Sequence, residues 1–348
     1  MGNRVTIKDV AREANVSIKT VSNVLNNTGS MRPDTRQRVE EAMRKLGYTI
    51  NISARAMRSG GTRLIGLNIF DFSQPFASFL ADKVIDYAKQ RQYGVIINTY
   101  GSDGAGLVDN IAEIYRLGAD GWIFFAERAL ADEGLVLEQP YPVVLAGDYL
   151  SYGKGDLVTM PNVEAVRMTV GKLLDAGNTT IALLGAPLGI SDCESIKKER
   201  EGTQALRTQG YIQAFEERGL SVDWRYMIPV FRWNQPNGVR SVEEMLDSLP
   251  CPDAIVCLND AMALGAVHEL QRQGLRVPND VQLVGFDNVP ESEYSVPALT
   301  TIDPHIEDYA KHAVDMLIER IEGYNGPART YTTDFTLVER ASTRLTIL

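Results

Sequence analysis

Apolar positions recur at helical spacing in three short runs at the start of the chain, then give way to alternating strand-like and helix-like segments. Ile7, Val10, Ala11 and Ala14 predict a first helix, and Thr6 with Asp9 three residues on is a capping-box-like start. Asn15 and Val16 read as a turn. Ser17 is placed to cap a second helix whose Val21, Val24 and Leu25 face inward. Ile18, Lys19, Ser22, Asn23 and Asn26 are left largely on the other face. Val39, Ala42, Met43 and Leu46 mark a third helix, with Pro33 near its first turn and Gly47 ending it. An apolar back and a hydroxyl-rich front is the face a helix-turn-helix offers the DNA major groove. A three-helix bundle with a solvated face gives the same pattern.

Residues 48–61, YTINISARAMRSGG, read as a linker containing Arg55, Met57 and Arg58, too short for a stable isolated helix. From Arg63 the pattern changes. Leu64–Phe70 reads as a buried strand, followed by a helix over about 75–92, the strand 94–100, a helix through 111–117 and the strands 121–125 and 142–146. The alternation then restarts, with helices over 163–176, 205–218, 238–249 and 261–273 between strands at 180–184, 227–231, 253–258 and 281–286. Strands alternating with helices imply parallel sheets, and two such units in series imply two lobes around a cleft. Ligands of open α/β sheets bind beyond the carboxyl ends of the strands. Attention therefore falls on residues 71–76, Gly147-Asp148, Trp233, Asn259-Asp260 and Asp287-Asn288.

Charge sharpens this division. The chain of 348 residues carries a net charge of −10, yet eleven Lys/Arg against five Asp/Glu give residues 1–60 a net +6 and leave −16 on the remainder. A basic head on an acidic body is an electrostatic footprint for nucleic acid at one end. No apolar run approaches the ~18 residues of a membrane span, and MGNRVTIKDVARE lacks a signal-peptide core, so a cytoplasmic location is expected. Cys193, Cys251 and Cys257 lack metal-ligand spacing and fit reduced thiols.

The segments VTIKDVAREANVSIKTVSNVLN, TRQRVEEAMRKLGY, LIGL, RTQGYIQAF, LNDAMALGAVHELQRQGLRVPNDVQLVGFDN, PALTTI and LVERAST, in this order and spacing, resemble the lactose-repressor/galactose-repressor family of bacterial transcription regulators. The resemblance runs essentially end to end. It implies an all-α helix-turn-helix head and an α/β two-lobed body like a periplasmic sugar-binding protein, with two parallel-sheet subdomains. It also implies a homodimer on a palindromic operator and a small-molecule effector, a mono- or oligosaccharide. The expected division is a head over 1–50, a hinge over 51–61 and a body over 62–348. The first lobe would hold about 62–161 and 291–322, the second about 162–290 and 323–340.

Carried onto this chain, the resemblance makes Ile18, Lys19 and Asn23 base readers. Ser17, Thr20, Ser22 and Asn26 would hold phosphates, assisted by Thr6 and Lys8, with Tyr48 and Asn51 leading into the hinge. Lys19 and Asn23 can bond base edges, and Ile18 offers apolar contact to a thymine methyl. Met57 matches a minor-groove wedge that unstacks a base step, flanked by Arg55 and Arg58, which suit the negative potential there. Arg207, Asn259 and Asp287 match effector-contacting positions, with Trp233 as an aromatic platform and Gln74, Phe76 and Asp148 lining the cleft. The chain departs from the family pattern at Ile50, usually Pro. Further departures are Pro161-Asn162, Gly177-Asn178-Thr179-Thr180 and Asp303-Pro304-His305, all bordering the crossings between lobes.

Two other functions fit parts of the chain. A periplasmic sugar-binding protein shares the body but should carry an export signal and no basic head. A nucleotide-using enzyme needs glycines that the turn DFSQPF lacks. No P-loop, nucleophile elbow or metal-ligand cluster is present in the sequence, so neither a catalytic residue nor a cofactor is expected. No leucine heptad follows LVERAST, which predicts a dimer without a coiled-coil tetramer tail. Sedimentation should give a dimer, and a concentration-independent tetramer would contradict this.

Overall fold

The structure, a computed structural model, describes residues 5–26, 31–48, 61–101, 114–126, 129–130, 132–189 and 193–345. The chain forms two compact units, Met1–Thr62 and Arg63–Leu348. In the first, helices α1 (Ile7–Glu13), α2 (Ile18–Asn26) and α3 (Pro33–Leu46) surround a small core of Val10, Ala11, Ala14, Val21, Val24, Val39 and Ala42. Local chemistry sets each boundary. The amide and hydroxyl of Thr6 donate to the Asp9 carboxylate at 2.9 and 2.7 Å, which also draws the Asp9 pKa below its ordinary value. Asn15 turns the chain at φ +51°. The Ser17 hydroxyl accepts the Thr20 amide at 3.0 Å and so caps α2. Gly47, at φ +61°, ends α3 in the left-handed conformation.

The second unit holds two six-stranded sheets. The first has the order β11-β5-β4-β3-β1-β2 and pairs in parallel throughout. Its strands are β1 (Leu64–Ile69), β2 (Gly94–Thr99), β3 (Trp122–Phe125), β4 (Val143–Ala146), β5 (Asp156–Thr159) and β11 (Thr330–Thr332). The second has the order β12-β10-β9-β8-β6-β7. It is built from β6 (Ile181–Ala186), β7 (Met227–Pro229), β8 (Ala254–Cys257), β9 (Gln282–Phe286), β10 (Thr300–Asp303) and the antiparallel edge β12 (Thr336–Val338). The central strands β6 and β8 are buried at every residue, as parallel strands covered on both faces must be.

Helices α4 (Pro75–Gln90) and α11 (Ile306–Ile321) belong with the first sheet. Helices α5 (Asn162–Asp175), α6 (Cys193–Lys198), α7 (Thr203–Glu216), α8 (Gln235–Ser248), α9 (Asp260–Arg272) and the short α10 (Pro290–Tyr294) belong with the second. Helices α8 and α9 lie so close that a Cβ on Gly238 would sit 2.3 Å from the Met262 carbonyl oxygen. That closeness fixes the relative position of the two helix N-termini, which both reach the cleft.

The chain passes between the lobes three times, at 159–162, 303–306 and 332–336. The last two crossings differ from the sequence expectation, which put 291–322 in the first lobe and 323–340 in the second. Strand β10 pairs in parallel with β9, so 300–303 stays in the second lobe until α11 begins. Strand β11 pairs with β5, so 330–332 belongs to the first. Of the helix expected over 111–117, the described residues hold Ile114, which is α-helical, and a 3-10 turn at Tyr115–Leu117. The strand expected over 227–231 is shorter and leaves Phe231 beyond its end.

Asp156 locks the returning segments onto the first sheet. Fully buried, it receives the Arg320 guanidinium at 2.8 Å and the Arg329 guanidinium and amide at 2.7 and 2.8 Å. Burial opposes its ionisation, and the bonds from Arg320 and Arg329 overcome that, so the carboxyl titrates below its ordinary 3.8. A depressed carboxyl pKa adds stability above 3.8 that is lost as pH falls through the lower, folded-state value. Asp156→Ala should therefore destabilise the body by about 3 kcal/mol in denaturant unfolding at neutral pH, with a smaller deficit under strong acid. A deficit that does not shrink in acid would contradict this.

Candidate functional site

Loops at the carboxyl ends of strands from both sheets meet around a cavity of about 450 Å³. The first lobe contributes Phe70 to Phe76 after β1, Phe125 at the end of β3, and Gly147 and Asp148 after β4. Gln74 stands at the N-cap of α4, where Pro75 supplies the preset first helical turn. The second lobe contributes the Phe231 to Asn234 segment after β7, Asn259 after β8, Asp287 after β9 and the first turns of α7. Asn234 and Asn259 each accept the amide three residues on, at 2.9 Å, so each both caps its helix and reaches the cleft.

Arg207 lies at the centre, 3% exposed. Its Nε donates to Asn162 Oδ1 at 2.7 Å, its Nη1 donates to the Leu258 carbonyl, and its guanidinium lies 3.4 Å over the Phe286 ring. The Asp287 carboxylate stands 3.9 Å from Nη1 and the Trp233 ring centre 5.9 Å from the guanidinium carbon. Burial lowers the Arg207 pKa, opposed by Asp287, Asp148 and Asp260. Burial likewise pushes Asp287 up to about 7 against the pull of Arg207. Asp287 holds φ +119°, outside the range L residues favour. Behind it the buried Asp260 carboxylate accepts the Thr301 hydroxyl at 2.6 Å and the Val289 amide at 3.0 Å, which pins the loop carrying Asp287. Burial, then Asp287 itself, raises Asp260 well above its ordinary value.

Asp148 joins the lobes. It accepts the Thr159 hydroxyl at 2.9 Å from the first crossing and the Thr203 hydroxyl at 2.6 Å from α7. Across the cleft, Asn259 Nδ2 donates to Gln74 Oε1 at 3.1 Å. All seven residues marked in the sequence as effector contacts, Gln74, Phe76, Asp148, Arg207, Trp233, Asn259 and Asp287, line this one cavity. Phe125, Tyr149, Thr203, Gln204 and Tyr309 line it too and were not marked. Thr203 and Gln204 precede Arg207 by four and three positions and share its helix face, a signal available once Arg207 is placed. Phe125 follows the strand-end rule. Tyr309 arrives on α11 from a distant part of the chain, with no local pattern to mark it.

In the head, Ile18 is 43% exposed at the start of α2, beside exposed Ser17 and Lys19. Ser22 and Asn23, one turn on, are half-buried, as is Thr20, whose hydroxyl bonds that of Ser17 at 2.8 Å. Thr6 and Lys8 are exposed, and Tyr48 packs against the head core. The first turn of α2 carries no acidic residue, which leaves its positive dipole end open to phosphate. The Asn26 side chain and Asn51, Arg55, Met57 and Arg58 lie outside the described residues. Among the described residues, no His/Cys/Asp/Glu group could hold a metal, and no helix is long and apolar enough to cross a membrane.

Residues 6–51 match the profile of bacterial regulatory proteins of the lacI family, and residues 170–343 match a periplasmic binding protein-like domain. Catabolite control protein A of Priestia megaterium is 33% identical over 90% of this chain and 91% of its own. Among solved structures, a LacI-type transcription regulator from Bifidobacterium animalis subsp. lactis is 56% identical, with a TM-score of 0.78 over 81% of this chain and 99% of that one. The regulator CelR in complex with cellobiose is 25% identical, with a TM-score of 0.69 over 97% and 100% of the two chains.

Burial of Asp287 sets a pH dependence. With its folded pKa near 7, the folded chain holds a proton that the unfolded chain has lost above about pH 4. Stability therefore falls as pH rises from about 4 to about 7. Asp287→Asn should flatten part of that fall and raise stability at pH 8 by on the order of 1 kcal/mol or more, read from thermal melts at pH 5 and pH 8. An unchanged slope would remove Asp287 as its source.

Proposed function

The chain belongs to the lacI family of bacterial regulatory proteins, and from that membership we propose how its two units divide the work. The protein is a DNA-binding transcriptional regulator controlled by an effector; it is neither an enzyme nor a free-standing sugar-binding protein. In this reading it is a repressor of carbohydrate-utilisation genes that acts in the cytoplasm. It binds a palindromic operator as a homodimer, and a sugar in the cleft is its effector. The single observation that carries the sugar reading is the lining of the cavity. Arg207, Asp148, Asn259, Asp287 and Gln74 offer paired donors and acceptors beside Trp233, Phe76 and Phe125. Hydroxyls need the first set and the apolar face of a sugar ring needs the second. The cellobiose bound to CelR supports the same class.

The head reads DNA through α2. Lys19 and Asn23 bond base edges, Ile18 meets a thymine methyl, and Ser17, Thr20, Ser22 and Asn26 hold phosphates with Thr6 and Lys8 beside them. The hinge residues Asn51, Arg55, Met57 and Arg58 order at the operator centre, with Tyr48 leading into them and Met57 as the minor-groove wedge. An effector hydroxyl competes for the Gln74–Asn259 and Asp148–Thr203 bonds that now join the lobes. Its arrival shifts the lobes about the three crossings, and this change in the dimer orders or releases the hinge.

Lys19→Ala should relax base preference at one operator position at a cost of about tenfold in affinity. Met57→Gly should weaken specific binding far more than non-specific binding. Both are read by fluorescence anisotropy on a panel of operator variants. An unchanged preference profile for the first, or equal losses on both kinds of DNA for the second, would overturn these assignments.

A further inference from the structure

The cleft is larger than one sugar ring. A hexose of roughly a dozen non-hydrogen atoms fills on the order of 200 Å³ at the packing density of a protein interior, and the cavity measures about 450 Å³. A neighbouring cavity of about 260 Å³ lies beside it at the starts of α4 and α8, with Ser73, Gln74 and Asn234 lining both.

The lining is graded along this space. Arg207, Asp148, Asn259 and Asp287 are buried, whereas Ser73, Phe231 and Arg232 are exposed. Phe231 stands out, because it lines the cavity yet is 81% exposed. A lone exposed phenylalanine needs no explanation. One that borders a cavity with a polar, buried floor is a platform for a flat, partly apolar partner.

Charge narrows the partner further. Among the described residues, the only cation of the buried floor is Arg207, already bonded to Asn162 and Leu258 and faced by Asp287, with Asp148 as a second buried carboxyl. The Asp148 carboxyl, with Asp287 beside it, against one engaged guanidinium disfavours a phosphate or carboxylate there.

We propose that the effector is a neutral saccharide of at least two rings. One ring occupies the floor among Arg207, Asp148, Asn259 and Asp287, and the next lies against Phe231 at the mouth. This rests on the sugar reading of the same cleft.

Isothermal titration calorimetry of the full chain tests it. The probes are glucose, galactose and fructose; maltose, cellobiose, lactose and sucrose; maltotriose and raffinose; and phosphorylated glucose. At least one di- or trisaccharide should bind about tenfold or more tighter than any monosaccharide. Phe231→Ala should cost that ligand about three- to tenfold, more than it costs its component monosaccharides, and Phe231→Trp should restore the affinity. A monosaccharide or phosphorylated glucose binding as tightly as the best oligosaccharide would overturn the two-ring assignment and leave the sugar reading standing. Equal loss of both ligand sizes in Phe231→Ala would do the same. Silence across the whole panel, with binding of nucleosides or purine bases instead, would overturn the sugar reading itself.

Discussion

The cleft depends on one buried guanidinium. Removing Arg207 from water carries a desolvation cost of several kcal/mol, and no tight ion pair offsets it, since Asp287 is 3.9 Å away. Instead the charge is met by the Asn162 side chain, the Leu258 carbonyl and the face of Phe286. Five N–H donors on one planar group leave some free for a ligand after these contacts are made. The cost of burying the charge thus becomes a prepaid capacity to bind hydroxyls.

The same contacts reach the first passage between the lobes. Asn162 begins α5, just after the 159–162 crossing, and Arg207 holds it from α7. Asp148 holds Thr159 at the other end of that crossing and also bonds Thr203. One helix turn therefore carries both a ligand-facing cation and a link to Asp148. A ligand that draws on either residue alters how the crossing is held, which gives a physical path from cleft occupancy to lobe position without a separate relay. Asp156, with Arg320 and Arg329, keeps the returning segments fixed to the first sheet. In the proposed switch, rearrangement is then concentrated at the crossings rather than within the sheets.

Much of this was legible in the sequence, for identifiable reasons. Helix limits in the head followed from Thr6, Ser17, Pro33 and Gly47, because capping and turn chemistry are local. The parallel architecture followed from buried strand runs alternating with helices. The strand-end rule and the family resemblance together marked Gln74, Phe76, Asp148, Arg207, Trp233, Asn259 and Asp287, which share one cavity. The lobe boundaries near the C-terminus were misplaced because the sheet that adopts a short strand is a matter of partner. Strands β10 and β11 look alike in sequence but pair with β9 and β5, in different lobes. Tyr309 was missed for the same reason, being brought to the cavity by a helix that packs across the fold. Asn259 serves twice: its side-chain oxygen caps α9 while its nitrogen spans the cleft.

In the proposed function, Arg207 makes cleft occupancy matter to DNA binding. The direct measurement is operator affinity with and without a saturating saccharide, in the native chain and in Arg207→Met, with saturation of the variant checked by calorimetry. The sugar should change operator affinity severalfold in the native chain and leave the variant's affinity unchanged. An equal change in both, at verified saturation, would contradict it.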